Sequence, residues 1–296
     1  MQPPLLADTT ALITGATSGL GYATAEALAR LGATVVLVSR DVHRGEATRR
    51  AVAESTGSAR LEVLQADLAS LESIRRLSAR LLDRHPRLDV LVNNAGTLEP
   101  RRRLSADGIE MTLAVNLVAP FVLSTLLLDR LRQSAPARIV NLASETQGRA
   151  ALDLDDLQFD RRPYSMWQAY GQSKLGLTLF TKELARRVDG TGLTANSLHP
   201  GVMASDLGHR DGLTGLVWAV ASRFMRSPGA AARHVTYLAT SPDLAATNGA
   251  YFDQARRVRP NPIAEDPIAG ARLWEVLERL TQVPAGLPVR TSVGVA

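Results

Sequence analysis

The chain has 296 residues, 45% of them hydrophobic and 21% charged, with no cysteine. That length allows a sizeable buried core, and the missing cysteine excludes disulfide frameworks, thiolate zinc sites, iron–sulfur clusters and thiol catalysis. The balance of 34 basic against 29 acidic residues gives a net charge of +5. All the basic residues but Lys174 and Lys182 are arginine, spread over most predicted helices, and only 4% of the chain is aromatic. This pattern reads as a solvated arginine-rich surface rather than a nucleic-acid interface. Five scattered histidines make a metal centre unexpected, so no metal ligand is assigned. The longest uncharged apolar stretch, residues 117–128, contains Pro120 and is too short to span a bilayer. Residues 1–6 lack the charged and apolar regions of a signal peptide, and a soluble cytoplasmic protein is expected.

The predicted elements alternate in type. Residues 10–14 form a short β-branched strand, and residues 20–31 carry apolar positions at helical spacing up to Gly32, a suitable C-terminal stop. Residues 34–38 are a continuous apolar run, as in a strand buried on both faces. A polar helix over 41–54 leads to a strand over 61–66, and a helix over 71–84 leads to a strand over 89–92. A long helical region over 106–133 precedes a strand over 138–142. Helix 165–188 precedes strand 193–198, and helix 229–240 precedes strand 249–252. This is β-α-β-α throughout, without an internal repeat or a linker. The expected fold is therefore one α/β domain, a Rossmann-like doubly wound parallel sheet of about seven strands with helices on both faces. The expected domain spans 1–296, with a core over about 8–255, a substrate lid over about 202–228 and a helical extension over about 260–296 that includes a helix at 267–282. Two segments, 149–168 and 202–227, interrupt the alternation after the fifth and sixth strands, at strand carboxyl ends where open α/β sheets bind ligands.

After the first strand the chain reads Thr14-Gly15-Ala16-Thr17-Ser18-Gly19-Leu20-Gly21. Glycines in such a turn let the backbone approach a pyrophosphate, and the following helix presents free amides and its positive dipole end. Such turns also serve packing alone. The second strand ends in Ser39 and Arg40, where a carboxylate would select NAD by accepting from the ribose hydroxyls. A hydroxyl and a guanidinium bind a 2′-phosphate instead, which points to NADP(H), although Arg40 could be one more surface arginine. Asp67, followed by Leu68, could accept from an adenine amino group or cap the next helix. Asn93-Asn94-Ala95-Gly96 closes the fourth strand with small residues that leave room for a ribose and nicotinamide, or simply turn the chain.

Tyr170 and Lys174 stand four residues apart on a predicted helix and share a face. A tyrosine is a poor base at neutral pH unless a nearby positive charge favours its phenolate. The pair therefore suits proton transfer at an alcohol oxygen. Tyr164 lacks such a partner, because Gln168 stands where the lysine would be. Ser144 closes the fifth strand and could donate to a carbonyl or merely cap a turn. Asn116, within the long helical region, is locally unfavourable for helix and could bond backbone or water, with Pro120 pointing to an irregularity there.

Thr14 to Gly21, Asn93 to Gly96, Asn116, Ser144, Tyr170 with Lys174, and His199-Pro200-Gly201 resemble the ordered motif set of the short-chain dehydrogenase/reductase family, over residues 8–255. Ser39-Arg40-Asp41 with Gly45-Glu46, residues 106–110, residues 134–138 and residues 180–185 resemble its retinol-dehydrogenase-like subgroup. The resemblance implies reversible hydride transfer between NADP(H) and a carbonyl or alcohol carbon. It implies Tyr170 as acid/base, with Lys174 lowering its pKa and holding the nicotinamide ribose. Ser144 would polarise the carbonyl, and Asn116 would hold a water in a relay toward Lys174. The cofactor set would be Gly15, Thr17, Ser18, Gly19, Leu20, Gly21, Ser39, Arg40, Asp67, Leu68, Asn94, Ala95, Gly96, Tyr170, Lys174, Pro200, Gly201, Val202 and Ser205, the last four flanking the carboxamide. The Ser144-to-Tyr170 interval is longer than usual, an excess taken up by 149–168, and Ala143 stands where many relatives have a second serine. Relatives are commonly dimers or tetramers, so a homo-oligomer is expected.

The segment 213–225 is strongly apolar, and 149–168 adds Leu152, Leu154, Leu157, Phe159, Met166 and Trp167. These residues suit a pocket for a bulky hydrophobic carbonyl or alcohol, or else packing on the sheet or a subunit interface. Three activities fit the sequence: an NADPH-dependent carbonyl reductase, an alcohol dehydrogenase running the same chemistry in reverse, and a non-catalytic NADP-binding sensor or scaffold. The presence of both Tyr170 and Lys174 favours the first two.

Overall fold

Alternating apolar strands too short to leave one face in water must be covered on both sides, and that requirement organises the molecule. The computed structural model describes residues 5–201 and 227–283. Its eight strands are β1 (Thr10–Thr14), β2 (Thr34–Ser39), β3 (Leu61–Gln65), β4 (Val90–Asn93), β5 (Ala137–Leu142), β6 (Leu193–His199), β7 (Tyr251–Asp253) and β8 (Arg256–Val258). They form one sheet in the order β3-β2-β1-β4-β5-β6-β7-β8. All neighbours are parallel except β7 and β8. The chain order reverses between β1 and β4, so a crevice opens there at the carboxyl ends of the strands.

The helices are α1 (Gly19–Arg30), α2 (Val42–Thr56), α3 (Leu71–Arg84), α4 (Met111–Leu113), α5 (Ala119–Leu126), α6 (Leu128–Gln133), α7 (Met166–Arg187), α8 (Pro228–Thr240) and α9 (Pro267–Thr281). Leu12 of β1 belongs to a core shared with α3, α5, α7 and α9, whereas Ala11 and Ile13 belong to a second core with α1 and α8. The side-chain alternation of one strand thus feeds two cores. Phe121 of α5, Phe180 of α7 and Trp274 of α9 form an aromatic cluster with centroids 5.2–5.8 Å apart, which fixes the C-terminal helix against the body of the domain.

The sheet has eight strands, in keeping with the expected doubly wound sheet of about seven. The eighth follows a tight hairpin in which Gln254 takes φ +58°, and its Arg256 and Arg257 are exposed, so no apolar run marked it. One helical expectation needs correction: the region 106–133 is not one long helix. Residues Ser105 to Glu110 turn back on themselves, with Leu104 bridged to Glu110, and Ala114–Val118 form a π-helical turn between α4 and α5. Pro120 follows immediately in the first turn of α5, the position where its missing N–H costs least. Among the described residues, no helix is long and apolar enough to cross a membrane.

Several arginines have structural work. Arg130 donates to the carbonyls of Leu82 and His85 at the end of α3, Arg75 to that of Thr281 at the end of α9, and Arg138 to that of Leu238 near the end of α8. Cations placed against helix carboxyl ends satisfy the last carbonyls and the negative dipole end. These three arginines are used inside the fold.

Candidate active site

The turn after β1 is built from backbone. Gly15 and Gly19 have φ of +64° and +52°, a region that side-chain-bearing residues rarely adopt. A Cβ on Gly21 would lie 2.2 Å from the Gly15 carbonyl oxygen, so only glycine lets α1 start this close to the turn. A Cβ on Gly19 would meet nothing within 4 Å, so the outer side of the turn is open. Ser18, the N-cap of α1, makes no side-chain cap hydrogen bond. The first turn of α1 keeps free amides facing that open side, and the residues fit a pyrophosphate there.

The floor of the turn is pinned from β4. The Thr14 hydroxyl accepts from the amides of Asn94 and Ala95, each at 3.0 Å, and Asn94 Nδ2 donates to the carbonyls of Thr14 (2.9 Å) and Gly15 (3.1 Å). The sequence reading did not assign Thr14 a role of its own, although a threonine at the end of a strand was the available signal. Leu68 and Ala95 line a small crevice with Thr14 and Val115.

At the end of β2, the Ser39 hydroxyl donates to the Asp41 carbonyl at 2.6 Å, which leaves its oxygen as an acceptor. Arg40 is exposed. The nearby carboxylate of Asp41 is committed elsewhere: it accepts from the amides of His43 and Arg44, caps α2, and has its pKa lowered by those bonds. Arg40 and Arg44 both present exposed guanidinium groups at this corner. Asp67 does not cap α3, a role taken by Ser70; its carboxylate accepts from the Ala69 amide and stands exposed at the strand end.

Ser144, Tyr170, Lys174 and Asn116 come from β5, α7 and the π-helical turn, and the fold brings them together. Ser144 stands beside the Tyr170 phenol, close enough to act on its ionisation. Ser144 Oγ also accepts from the Thr146 amide at 3.3 Å, so the serine both caps the following 3-10 turn and meets the tyrosine. Lys174 Nζ donates to the Leu142 carbonyl at 2.7 Å and lies 5.8 Å from the centre of the Tyr170 ring. Asn116 is fully buried. Its Oδ1 accepts from the Thr97 amide at 2.8 Å, and its Nδ2 donates to the Thr97 carbonyl and to Ser173 Oγ, each at 3.0 Å. It braces the loop after β4 against α7. A Cβ on Gly96 would sit 3.4 Å from Asn116 Oδ1 and 3.6 Å from Lys174 Nζ, so the glycine keeps this corner open.

Burial dominates the electrostatics. It pushes the Tyr170 phenol above its usual value, with the Ser144 hydrogen bond acting in the opposite direction. It pulls the Lys174 ammonium down to about 8. The lowering of Tyr170 by Lys174 that the sequence led us to expect is not the governing effect here, because the ammonium is aimed at the Leu142 carbonyl. Tyr170 nonetheless remains partly exposed and reachable from outside. Tyr164 is a structural residue, its hydroxyl bonded to the Glu99 carbonyl and to Glu110, with a pKa pushed up to about 12 by burial.

The expected apolar lining from 149–168 is mostly packing. Leu157 and Phe159 are buried in the domain, Leu152 and Leu154 pack against its core, and Phe159 carries Arg162 over its ring. Trp167 differs, standing 64% exposed one turn before Tyr170. Pro200 and Gly201 follow β6, with Gly201 at φ +94°. Val202, Ser205 and the lid expected over 202–228, apart from its last two residues, lie outside the described residues, as does the end of the extension beyond residue 283.

A family model described as short chain dehydrogenase matches residues 9–213. Retinol dehydrogenase 13 of Homo sapiens is 40% identical over 282 residues, covering 93% of this chain and 85% of that protein. Retinol dehydrogenase 14 of Homo sapiens is 39% identical over 298 residues, with 94% and 87% covered. Among solved structures, an uncharacterized protein from Mycobacterium paratuberculosis is similar at a TM-score of 0.78 and 34% identity, over 96% of this chain and 97% of that one. A short chain dehydrogenase from Burkholderia cenocepacia J2315 in complex with NADP is similar at a TM-score of 0.67 and 28% identity, over 85% and 97%.

Proposed function

The chain belongs to the short chain dehydrogenase family, and we propose that it is an NADP(H)-dependent carbonyl reductase or alcohol dehydrogenase acting on a bulky hydrophobic substrate. The observation that carries this reading is Ser144 placed beside the Tyr170 phenol, with Lys174 held one helical turn further along α7. The dinucleotide, when bound, supplies or takes up the hydride. Gly15 to Gly21 and the first turn of α1 would hold its pyrophosphate, and Arg40 would hold the 2′-phosphate. Asp67 and Leu68 would flank the adenine. Asn94, Ala95 and Gly96 would flank the ribose and nicotinamide, and Pro200, Gly201, Val202 and Ser205 are assigned to its carboxamide.

The protein's own part is to bind, orient and move one proton. Ser144 Oγ donates to the substrate carbonyl oxygen and stabilises the negative charge that gathers there. Tyr170, kept protonated at neutral pH by burial, gives its hydroxyl proton to that oxygen and recovers it in the reverse direction. Lys174, an ammonium below about pH 8, favours the phenolate left behind. Asn116 fixes the loop at Thr97 relative to α7, and its remaining acceptor capacity would hold a water in a proton relay toward Lys174.

The relatives named as retinol dehydrogenases act, by that name, on a long apolar alcohol, and Trp167 beside the site agrees with a hydrophobic substrate here. The reading includes one domain over the whole chain, a homo-oligomer to be tested by light scattering, and a cytoplasmic location to be tested by fractionation. The direct experiment mixes the protein with NADPH and a panel of apolar ketones, aldehydes and quinones and follows nicotinamide absorbance. Turnover should appear with at least one member and fall about a thousandfold in Tyr170→Phe, with NADPH affinity retained. Turnover that survives this substitution rules out the assigned proton donor.

A further inference from the structure

Ser144 sits at the start of a short loop, and a serine hydroxyl is only as well placed as the backbone beneath it. The loop runs through the 3-10 turn Glu145–Arg149 and returns to α7. Its inner side lies against Gly171, next to Tyr170, where an added Cβ would come within 3.2 Å of Ala150 Cβ. Its other side is held by residues more than a hundred positions later in the chain. The Asn261 amide donates to Gln147 Oε1 at 3.0 Å. Asn261 Nδ2 lies within hydrogen-bond distance of three loop carbonyls, those of Gln147 (3.2 Å), Gly148 (3.3 Å) and Ala150 (3.1 Å). Its Oδ1 accepts from the Ile263 amide at 3.0 Å, which orients the side chain. Tyr251 on β7 is buried; its hydroxyl donates to the Ser144 carbonyl at 3.4 Å and is hydrogen-bonded to the Gln147 side chain. Gln147, itself 3% exposed, joins the two.

From this geometry we infer that Asn261 and Tyr251 are positioning residues for Ser144, so that the segment after β8 is part of the catalytic apparatus without touching the substrate. This rests on the proposed function. The route is continuous. Asn261 fixes the carbonyls of the 3-10 turn, the turn fixes the Thr146 amide, and that amide holds Ser144 Oγ at 3.3 Å. Ser144 Oγ then meets the Tyr170 hydroxyl. Tyr251 holds the same serine from its carbonyl side. Burial pushes the Tyr251 phenol up to about 12, so it stays a donor throughout the working range of pH. A hydroxyl displaced by an ångström loses its alignment with a carbonyl oxygen, an error that costs up to about a hundredfold in rate.

The test is a double-mutant cycle in the full-length protein with NADPH and the best carbonyl substrate from the panel. Asn261→Ala should lower kcat about ten- to hundredfold while leaving the NADPH dissociation constant within about twofold. Tyr251→Phe, which removes one oxygen, should act in the same direction with a smaller loss. In a Ser144→Ala background neither change should cost anything more, because a residue that acts through the serine has nothing left to position. Amide hydrogen exchange in residues 145–150 should rise in Asn261→Ala and stay unchanged in α1. If Asn261→Ala proves too unstable to assay, the Tyr251→Phe cycle decides. Unchanged kcat in the single variants, or losses that add fully to that of Ser144→Ala, overturn the inference while leaving the proposed function standing. A wild-type protein that turns over no carbonyl compound with NADPH overturns both.

Discussion

The glycine turn after β1 and the cluster around Ser144 and Tyr170 lie at the same edge of the sheet but are made of different materials. The turn is mostly local: its course is set within eight residues by backbone torsions that glycine adopts easily, and only its floor is pinned from β4 by Asn94 and Ala95. The cluster draws on β5, α7, a π-helical turn and the segment after β8, and its properties come from burial and from hydrogen bonds across the fold. Anion binding needs free amides and space. Proton transfer needs side chains whose charge states are set by surroundings that only packing supplies.

That contrast is exposed most sharply by Lys174→Met. Turnover should fall by at least about a hundredfold, yet the folded state should not suffer. Burial holds the ammonium at about 8 against an ordinary 10.5. Between pH 8 and 10.5 the unfolded chain keeps a proton that the folded chain releases. The cost of burying this charge is therefore full below pH 8 and fades as pH rises to 10.5. At pH 7 the variant should match or exceed wild-type stability. The gain is bounded at about 3 kcal/mol, less the bond to the Leu142 carbonyl, and should vanish near pH 10.5. Urea unfolding at the two pH values measures it, and a variant clearly less stable at pH 7 contradicts the burial argument.

The turn should respond in the opposite manner. Gly21→Ala forces a Cβ against the Gly15 carbonyl and should cost about 1–3 kcal/mol of stability together with NADPH affinity. Gly19→Ala, at positive φ but with open space around it, should cost about 1–2 kcal/mol and weaken NADPH without an internal clash. Thermal melts and NADPH fluorescence titrations separate the two, and equal losses at both positions would undo the distinction between close approach and open side.

Arg40→Ala removes an exposed guanidinium and should shrink the preference for NADPH over NADH about tenfold with stability unchanged, since one charge-assisted hydrogen bond is worth about 1.5–3 kcal/mol. A preference that does not move transfers the 2′-phosphate to another residue. The smallest effect is expected at Trp167. Being 64% exposed, it should tolerate Ala within about 0.5 kcal/mol, and KM for an apolar substrate should rise a few-fold at constant kcat. Unchanged kinetics remove it from the substrate path.

Legibility in the sequence followed the same division. Strand and helix order, the glycine turn and the Tyr170–Lys174 spacing could be read because each depends on residues within a few positions of one another. Asp41 as the cap of α2 and Ser70 as the cap of α3 are equally local, but neither was assigned, and Asp67 was weighed for the second role instead. The insertion at 149–168 stayed ambiguous because apolarity looks the same whether it lines a pocket or fills a core; the structure turns Leu157 and Phe159 inward. The eighth strand was missed because its arginines face water and its hairpin turns on a glutamine.

The sequence by itself determined the alternating architecture, the glycine turn proposed to hold an anion and the Tyr170–Lys174 spacing proposed for proton transfer, because periodicity, glycine torsions and helical spacing are properties of short segments. Only the tertiary structure decided that Tyr170 is raised and Lys174 lowered, that Asn116 is a buried brace in a π-helical turn, and that Asn261 reaches back to the loop of Ser144. Burial and long-range hydrogen bonds are relations between segments that are distant in the chain, and no local pattern encodes which of them will meet.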